Sequence, residues 1–533
     1  MRCQSSLSTP HARRGIDRIL MTQHRGLRAT PPREIGPLIA GVGIALAAYG
    51  TKLLLEAAQS GQMQKAAQAA ADSVRAGAAA ASEAASSAAA AGAAARARAQ
   101  STAQPRRQQQ QQQQQPPDSV DSYFTTDVMG VDLGQGAKAW SGAYAAIVER
   151  GEARVVENAQ GQRSTPSMVT FTDSGDLLVG QPAKKLLFAR GATPISAHTA
   201  LLGVAYDSDE LRALVEAGGL GGLEVAADGA SGAAVFKVHG VSHRPEELSA
   251  RVLASLKESA EDALGHRKIL SAVVSAPVLA QDATRAAIVA AGKRAGLSSV
   301  QLVDAPVAGA CAARAELPEL GSARTIGVYD LGGAAFSFSV LTQSAGGAGV
   351  GDASSEGGWR VLGAARRPAV GGESFDAAIV RHLVEAFHTA EGIDLSADHL
   401  ALQRLHEAAE AAKLELAVDK QAAISLPFIT ADASGPKHLE STLSRAKLEA
   451  LIEPLLHQTT PACAEALDAA GFSSGSLDAV LLIGGTARLD AVAEHAAMAL
   501  GGAPTLRMAR PEEAVALGAA TVAARMQALE FGG

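Results

Sequence analysis

Residues 325–341 read T-I-G-V-Y-D-L-G-G-A-A-F-S-F-S-V-L, and a fainter copy of the pattern, G-V-D-L-G-Q-G, runs from Gly130 to Gly136. In each, an apolar stretch ends on an aspartate followed by glycine: Asp132-Leu133-Gly134 in the first, Asp330-Leu331-Gly332-Gly333 in the second. After Gly333, Phe336, Phe338 and Val340 alternate with Ser337 and Ser339, the period-two pattern of a half-buried strand. The glycines therefore fall in a strand-to-strand turn. Such a turn presents backbone N–H groups with no Cβ in the way, which suits phosphate, and an aspartate at a strand end can hold Mg²⁺ through water. One Asp-Leu-Gly-Gly is no more than a turn. Two of them, with further glycine pairs downstream, predict a nucleoside-triphosphate cleft between two similar halves.

Outward from these turns, 533 residues with 47% hydrophobic content allow two to four domains with substantial cores, although much of that content is alanine. A formal charge of −7, with no basic patch beyond the N-terminus, argues against nucleic acid as a partner. Cys3, Cys311 and Cys463 are scattered, so neither a zinc site nor a disulfide framework is indicated, and a reducing compartment fits.

The N-terminal region divides by composition. Residues 1–34 set Arg2, Arg13, Arg14, Arg18, Arg25, Arg28 and Arg33 against Asp17 and Glu34, the balance of an organelle transit peptide, with a basic tail as the alternative. Residues 35–56 open with an uncharged run as far as Thr51, followed by Lys52 at a position to snorkel, and predict a transmembrane helix. The run also resembles the anchor of the membrane-tethered J-protein of the mitochondrial import motor, through Pro37-Leu38-Ile39-Ala40-Gly41. Residues 57–98 are alanine-rich with scattered charges and predict a solvated helical stalk. Residues 99–126 hold a glutamine tract at 108–115 closed by Pro116-Pro117, the composition of a disordered linker. Together these predict a mitochondrial inner-membrane protein with its large domain in the matrix; the endoplasmic reticulum or a plastid membrane is the alternative.

From residue 127 the pattern is mixed α/β. Short strands are expected at 145–148, 155–156, 168–171, 269–275 and 479–483, and helices at 246–264, 282–295, 306–315, 398–416, 444–470 and 512–528. Gly296 is the expected C-cap of the second helix and Pro306 the first residue of the third.

Taken in order, the motifs of residues 127–528 resemble the ATPase domain of the heat-shock protein 70 family, of the actin, hexokinase and heat-shock ATPase superfamily. The resemblance is carried by G-V-D-L-G-Q-G from Gly130, N-A-Q-G-Q-R-S-T-P-S-M-V-T-F from Asn158, G-Q-P-A-K ending on Lys184, and A-P-V-L-A-Q-D-A-T-R from Ala276. It continues through the opening stretch, G-G-E-S-F-D from Gly371, E-A-A-K-L-E-L from Glu410, I-G-G-T-A-R-L from Ile483 and P-E-E-A-V-A-L-G-A-A from Pro511. It implies a two-lobed actin-like fold with duplicated mixed-sheet subdomains around a cleft for ATP or ADP and magnesium. By the resemblance, Asp132 and Asp330 hold the metal's water shell, and Gly134, Gln135, Gly332, Gly333, Gly372, Gly484 and Gly485 line the phosphates. Lys184 would stabilise charge at the γ-phosphate, Glu410 and Lys413 would reach the ribose, and Arg488 would cover the adenine, with Glu512 beside it. Partners of the family's kind are implied: a J-protein, a nucleotide-exchange factor, or import-machinery proteins.

Several positions depart from the family pattern. Its paired threonines are Gln135 and Gly136; its third glycine and following threonine are Ala334 and Ala335; an aspartate is Ser337 and a carboxylate Ala305. On the adenosine helix Leu414 and Ala417 replace an arginine and a serine. The sequence stops at Gly533, directly after the last expected helix, where family chaperones continue into a peptide-binding β-sandwich, so it is not expected to clamp peptides in the usual way. The resulting expectation is a membrane-anchored ATP-binding module with weak or lost hydrolysis and a regulatory or scaffold role. The alternatives are an active ATPase working in trans with a J-protein or chaperone partner, and a small-molecule kinase of the same superfamily.

Overall fold

The computed structural model describes residues 127–134, 141–343 except 188, 190 and 217, 358–433 except 369, and 435–531. The chain divides into two units, residues 1–116 and 117–533, and every described residue lies in the second. The expected leader, membrane run, stalk and linker, and Gln135, lie outside the described residues. Among those described, no helix is long and apolar enough to cross a membrane.

Two sheets share one topology. In the first, Val128–Asp132 is central: Ser271–Ala276 runs parallel beside it and Ser299–Asp304 parallel beyond that, while Gly142–Glu149 and then Glu152–Val155 pair antiparallel on the other side. In the second, Thr325–Leu331 takes the central place, with Ala479–Ile483 and Thr505–Arg507 parallel on one side and Ala335–Gln343 and Trp359–Pro368 antiparallel on the other. The strand patterns explain the arrangement. Ala479–Ile483 is apolar throughout and wholly buried, as a parallel strand covered on both faces has to be, whereas Ala335–Gln343 begins with alternating buried and half-buried residues. The helix Asp282–Arg294 provides the crossover between two parallel strands of the first sheet.

Each sheet carries its own core. Met129, Val131, Phe236, Leu253 and Ile288 belong to the first; Tyr329, Phe338, Phe375, Leu405 and Ile452 to the second. A third core lies between them, built on the helices Ala305–Glu316 and Ala514–Phe531, each of which follows the outermost parallel strand of its own sheet. The Ala514–Phe531 helix returns across the first sheet, on Val128–Asp132 and Gly142–Glu149, and crosses Ala305–Glu316. Small residues permit the crossing: a Cβ on Gly518 would lie 1.7 Å from the Ala308 carbonyl oxygen, and one on Gly130 2.0 Å from the Ala520 nitrogen. Smaller subdomains sit on each half: in the second, the helices Gly372–Glu391 and His399–Leu416 precede the hairpin Gln421–Asp432/Gly435–Ser444.

This mixed α/β architecture fits the actin-like ATPase fold. The expected helix over 444–470 is two helices, Arg445–His457 and Thr460–Ala470. Pro461 lacks the N–H that would continue the first helix, and the buried Thr459 hydroxyl donates to Leu456 O at 2.7 Å while receiving the Tyr329 hydroxyl at 2.8 Å. The last helix begins at Ala514, after a 3₁₀ turn over Pro511–Glu513.

Candidate nucleotide-binding cleft

Both aspartate-glycine turns open into one cleft between the two sheets, lined by Asp132, Gly134, Asp330, Gly332, Gly333, Gly372, Glu410, Lys413, Gly484, Gly485 and Glu512 among others. In the first turn the Gly134 amide donates to Asp132 Oδ1 at 3.1 Å and the Ser275 hydroxyl to the same oxygen at 2.9 Å. Gly134 has φ 66°, and a Cβ there would stand 2.4 Å from the Gly142 carbonyl oxygen, so the turn requires glycine twice over.

The second turn is tied to the other two glycine pairs through its carbonyls. Gly332 O accepts from the Gly372 amide at 3.0 Å and from Thr486 Oγ1 at 2.9 Å, and Gly333 O accepts from the Glu373 amide at 2.7 Å. The Gly332 amide closes the turn on Ala335 O at 3.2 Å, so what the turn can offer a ligand begins at Gly333. Gly484, with φ 88°, comes so close that a Cβ would lie 2.4 Å from Leu331 O. Three segments far apart in sequence therefore meet backbone to backbone, and the helix Gly372–Glu391 starts at the same place with its N-terminus toward the turn.

The electrostatics of the cleft centre on its two aspartates. Burial raises the pKa of Asp132, against hydrogen bonds from Ser275 and Gly134 that lower it. Asp330 is pushed up to about 7, first by burial and then by the negative charge of Asp132, while the Arg366 guanidinium pulls it back down. The carboxylates are therefore near enough to repel one another. For a divalent cation they provide two donors, and among the described residues no group of three His, Cys, Asp or Glu is placed to hold a metal. Two carboxylates at the ends of paired glycine turns suit a hydrated magnesium carried on phosphates and held through its waters.

On the opposite wall Lys413 is nearly enclosed, its ammonium 2.7 Å from Asp376 Oδ2 and 3.1 Å from Gly372 O. Lys184, at the end of the short helix Gln181–Lys184, places its ammonium 3.2 Å from Glu410 Oε2. The two side chains for which the sequence suggests separate tasks, at the γ-phosphate and at the ribose, thus meet each other. Arg488 and Glu512 form a bidentate pair, with Arg488 Nε 2.9 Å from Glu512 Oε2, which fixes the plane of the guanidinium. Next to it the buried Glu513 takes a second bidentate pair from Arg163 at 2.6 and 2.7 Å, locking the segment after Asn158 to the Pro511–Glu513 turn.

Four of the departures noted in the sequence, Ala305, Ala335, Ser337 and Leu414, line the cleft wall; Ala334 and Ala417 do not, and Gln135 and Gly136 lie outside the described residues. The structure also adds residues that sequence reasoning did not select. Ser141, Tyr144, Glu373 and Asp376 line the cleft, and Ser275 supports Asp132. Asp376 closes the G-G-E-S-F-D motif and could have been found there; Tyr144 sits opposite Asp132 in the strand register, a relation set by pairing and not by spacing. Arg366 belongs to no motif, yet it lines the cleft beside Asp330 and Ser337.

Against known proteins, the family model described as Hsp70 protein matches residues 128–529, well over half of the chain and the whole of the cleft.

Proposed function

The chain belongs to the Hsp70 protein family, and from that premise we propose that its cleft binds ATP or ADP and turns ATP over slowly, so that the protein works as a nucleotide-responsive regulator or scaffold. The observation that carries this reading is the split between what the cleft keeps and what it lacks. It keeps Asp132, Asp330 and the glycine turns, whose backbone donors do not depend on side-chain identity. It presents Ala305, Ala335 and Ser337 where a positioned water and the γ-phosphoryl charge need support.

In this reading the phosphates lie against the two glycine turns and near the positive end of the Gly372–Glu391 helix, which acts through its dipole since its first amides are given to Gly332 O and Gly333 O. Asp132 and Asp330 would hold the water shell of a magnesium ion, which when bound supplies charge neutralisation to the phosphates. Lys413 and Glu410 face the ribose, and the Arg488 plane, stiffened by Glu512, covers the adenine. Lys184 is left to assist at the γ-phosphate, and for that it has to leave Glu410. Losing one preorganised polar group commonly costs about 3 kcal/mol in the barrier, roughly a hundredfold in rate. Hsp70 family members typically work with J-proteins and exchange factors; we extend the same partner classes to this chain, with import-machinery proteins included, and propose that residues 35–56 anchor it in the mitochondrial inner membrane.

The test is calorimetric titration of the full chain with Mg-ATP alongside a single-turnover assay. ATP is expected to bind, Asp330→Ala to remove the response of that affinity to magnesium, and Ala305→Glu with Ala335→Thr to raise turnover at least tenfold while moving the affinity less than about threefold. A double variant no faster than the wild type would overturn the assignment of slow turnover to those positions.

A further inference from the structure

The second sheet carries a cross-strand row, Asp330, Ser337 and Arg366, directly opposed on three neighbouring strands and therefore on one face. Neighbouring strands lie about 4.8 Å apart, so Arg366 starts roughly 10 Å from Asp330. Ser337 between them is short, and an arginine side chain can lie across it. Arg366 does line the cleft together with Asp330, Gly332 and Gly333.

Its surroundings distinguish it from the other arginines near the site. Arg163 is paired with Glu513, Arg488 with Glu512, and the adjacent Arg367 with Glu465. Among the described residues no carboxylate is within ion-pair distance of the Arg366 guanidinium. It senses Glu210 and Asp330 only from farther off, and burial pulls its pKa down, although a guanidinium stays charged at any ordinary pH. A half-buried guanidinium with no carboxylate partner among the described residues is well matched to a planar or tetrahedral oxyanion, which it can hold in bidentate fashion.

We propose that Arg366 is a built-in counter-charge for the terminal phosphates of the bound nucleotide, so that triphosphate binding in this cleft depends only weakly on magnesium. The inference rests on the nucleotide-binding reading above. Without this cation, Asp132 and Asp330 would face the phosphates as two negative groups and a metal would be needed to bring them together. With it, the protein itself supplies one positive charge next to the Gly332-Gly333 turn.

The full chain is titrated with ATP and with ADP, in magnesium and in excess EDTA, for the wild type, Arg366→Gln and Arg366→Lys, with thermal melting in the absence of nucleotide to check each fold. The wild-type Kd for ATP is expected to change less than about fivefold on chelation. Arg366→Gln should weaken ATP at least tenfold in EDTA, restore a dependence on magnesium, and affect ADP less; Arg366→Lys, which keeps the charge and loses the fork, should fall between. If Arg366→Gln does not fold, the Lys variant still has to show an intermediate affinity in EDTA. A wild type that loses ATP more than fiftyfold on chelation, or a Gln variant with unchanged affinity in EDTA, would overturn the proposal. ATP binding absent in both conditions would overturn the nucleotide reading itself, a result distinct from either.

Discussion

His198 is fully buried, with Nε2 3.2 Å from the Ser167 carbonyl oxygen and Nδ1 2.9 Å from Ser249 Oγ. A carbonyl can only accept, so Nε2 carries the proton and Nδ1 accepts from the serine hydroxyl, an arrangement that holds the ring neutral. Burial lowers its pKa from 6.5 to about 4. The unfolded chain therefore takes up the proton first, and the stability tied to this ring is present above pH 6.5 and lost as pH falls toward 4. At 1.36 kcal/mol per unit that amounts to about 3 kcal/mol at most. The melting temperature should be steady above neutrality and fall through that window, and His198→Gln should flatten the fall while lowering stability at pH 7.5 by about 1–2 kcal/mol. An equally steep acid slope in the variant would assign it to other groups. At this scale the sequence is legible where chemistry is local. Asp132, Asp330 and the glycines announce themselves because a turn needs them in consecutive positions. Arg366 and His198 do not, because what makes them special is the neighbour that strand pairing or chain packing brings from elsewhere.

Helices and strands show the same division between local and distant causes. The strand at 479–483 and the helices near 246–264 and 398–416 could be read from apolar spacing to within a residue or so. The break at Thr459 could not, since it depends on the Tyr329 hydroxyl 130 residues away as well as on Pro461. The crossing of Ala305–Glu316 and Ala514–Phe531 is likewise invisible in either helix alone: Gly518 reads as a weak point in a helix until Ala308 is seen against it. Gly518→Ala ought to favour the helix by up to about 1 kcal/mol on propensity. Steric conflict with the Ala308 backbone reverses the sign, because backbone cannot rotate aside as a side chain can. A net loss of about 2–3 kcal/mol is expected in denaturant unfolding. Gly321→Ala, with nothing within 4 Å of the added methyl, should stay within about 0.5 kcal/mol of wild type. Equal effects at the two sites would mean that the helix pair gives way more easily than the packing implies.

For the molecule as a whole, the cleft is lined from two sheets of one topology, from their shared helical core and from the helices Gly372–Glu391 and His399–Leu416, and all of it lies within residues 128–529. The anchoring proposed for residues 35–56 is a separate matter of composition: resistance to carbonate extraction and protection of the large domain from added protease in isolated mitochondria are the expected results, and release by carbonate would count against it. The glutamine tract separates a polar segment from a domain with cores of its own, so we propose that the domain folds without the N-terminal region, and limited trypsin digestion of the intact chain tests it. Arg106 and Arg107 stand beside the glutamine tract, whose composition cannot bury enough surface to protect them. Residues 344–357, by contrast, contain no lysine or arginine, so trypsin leaves that segment alone whatever its accessibility. Cleavage after Arg106 or Arg107 should therefore precede cleavage elsewhere in the large domain and leave a fragment beginning at Arg107 or Gln108. That fragment keeps both sheets and all three large cores, so it should melt within about 2 °C of the intact chain. Mg-ATP should slow its further digestion, because a ligand bound to both turns stabilises the folded form by mass action. A fragment that melts far lower, or digestion of the two lobes as fast as of residues 99–126, would show that the domain depends on the segment before it.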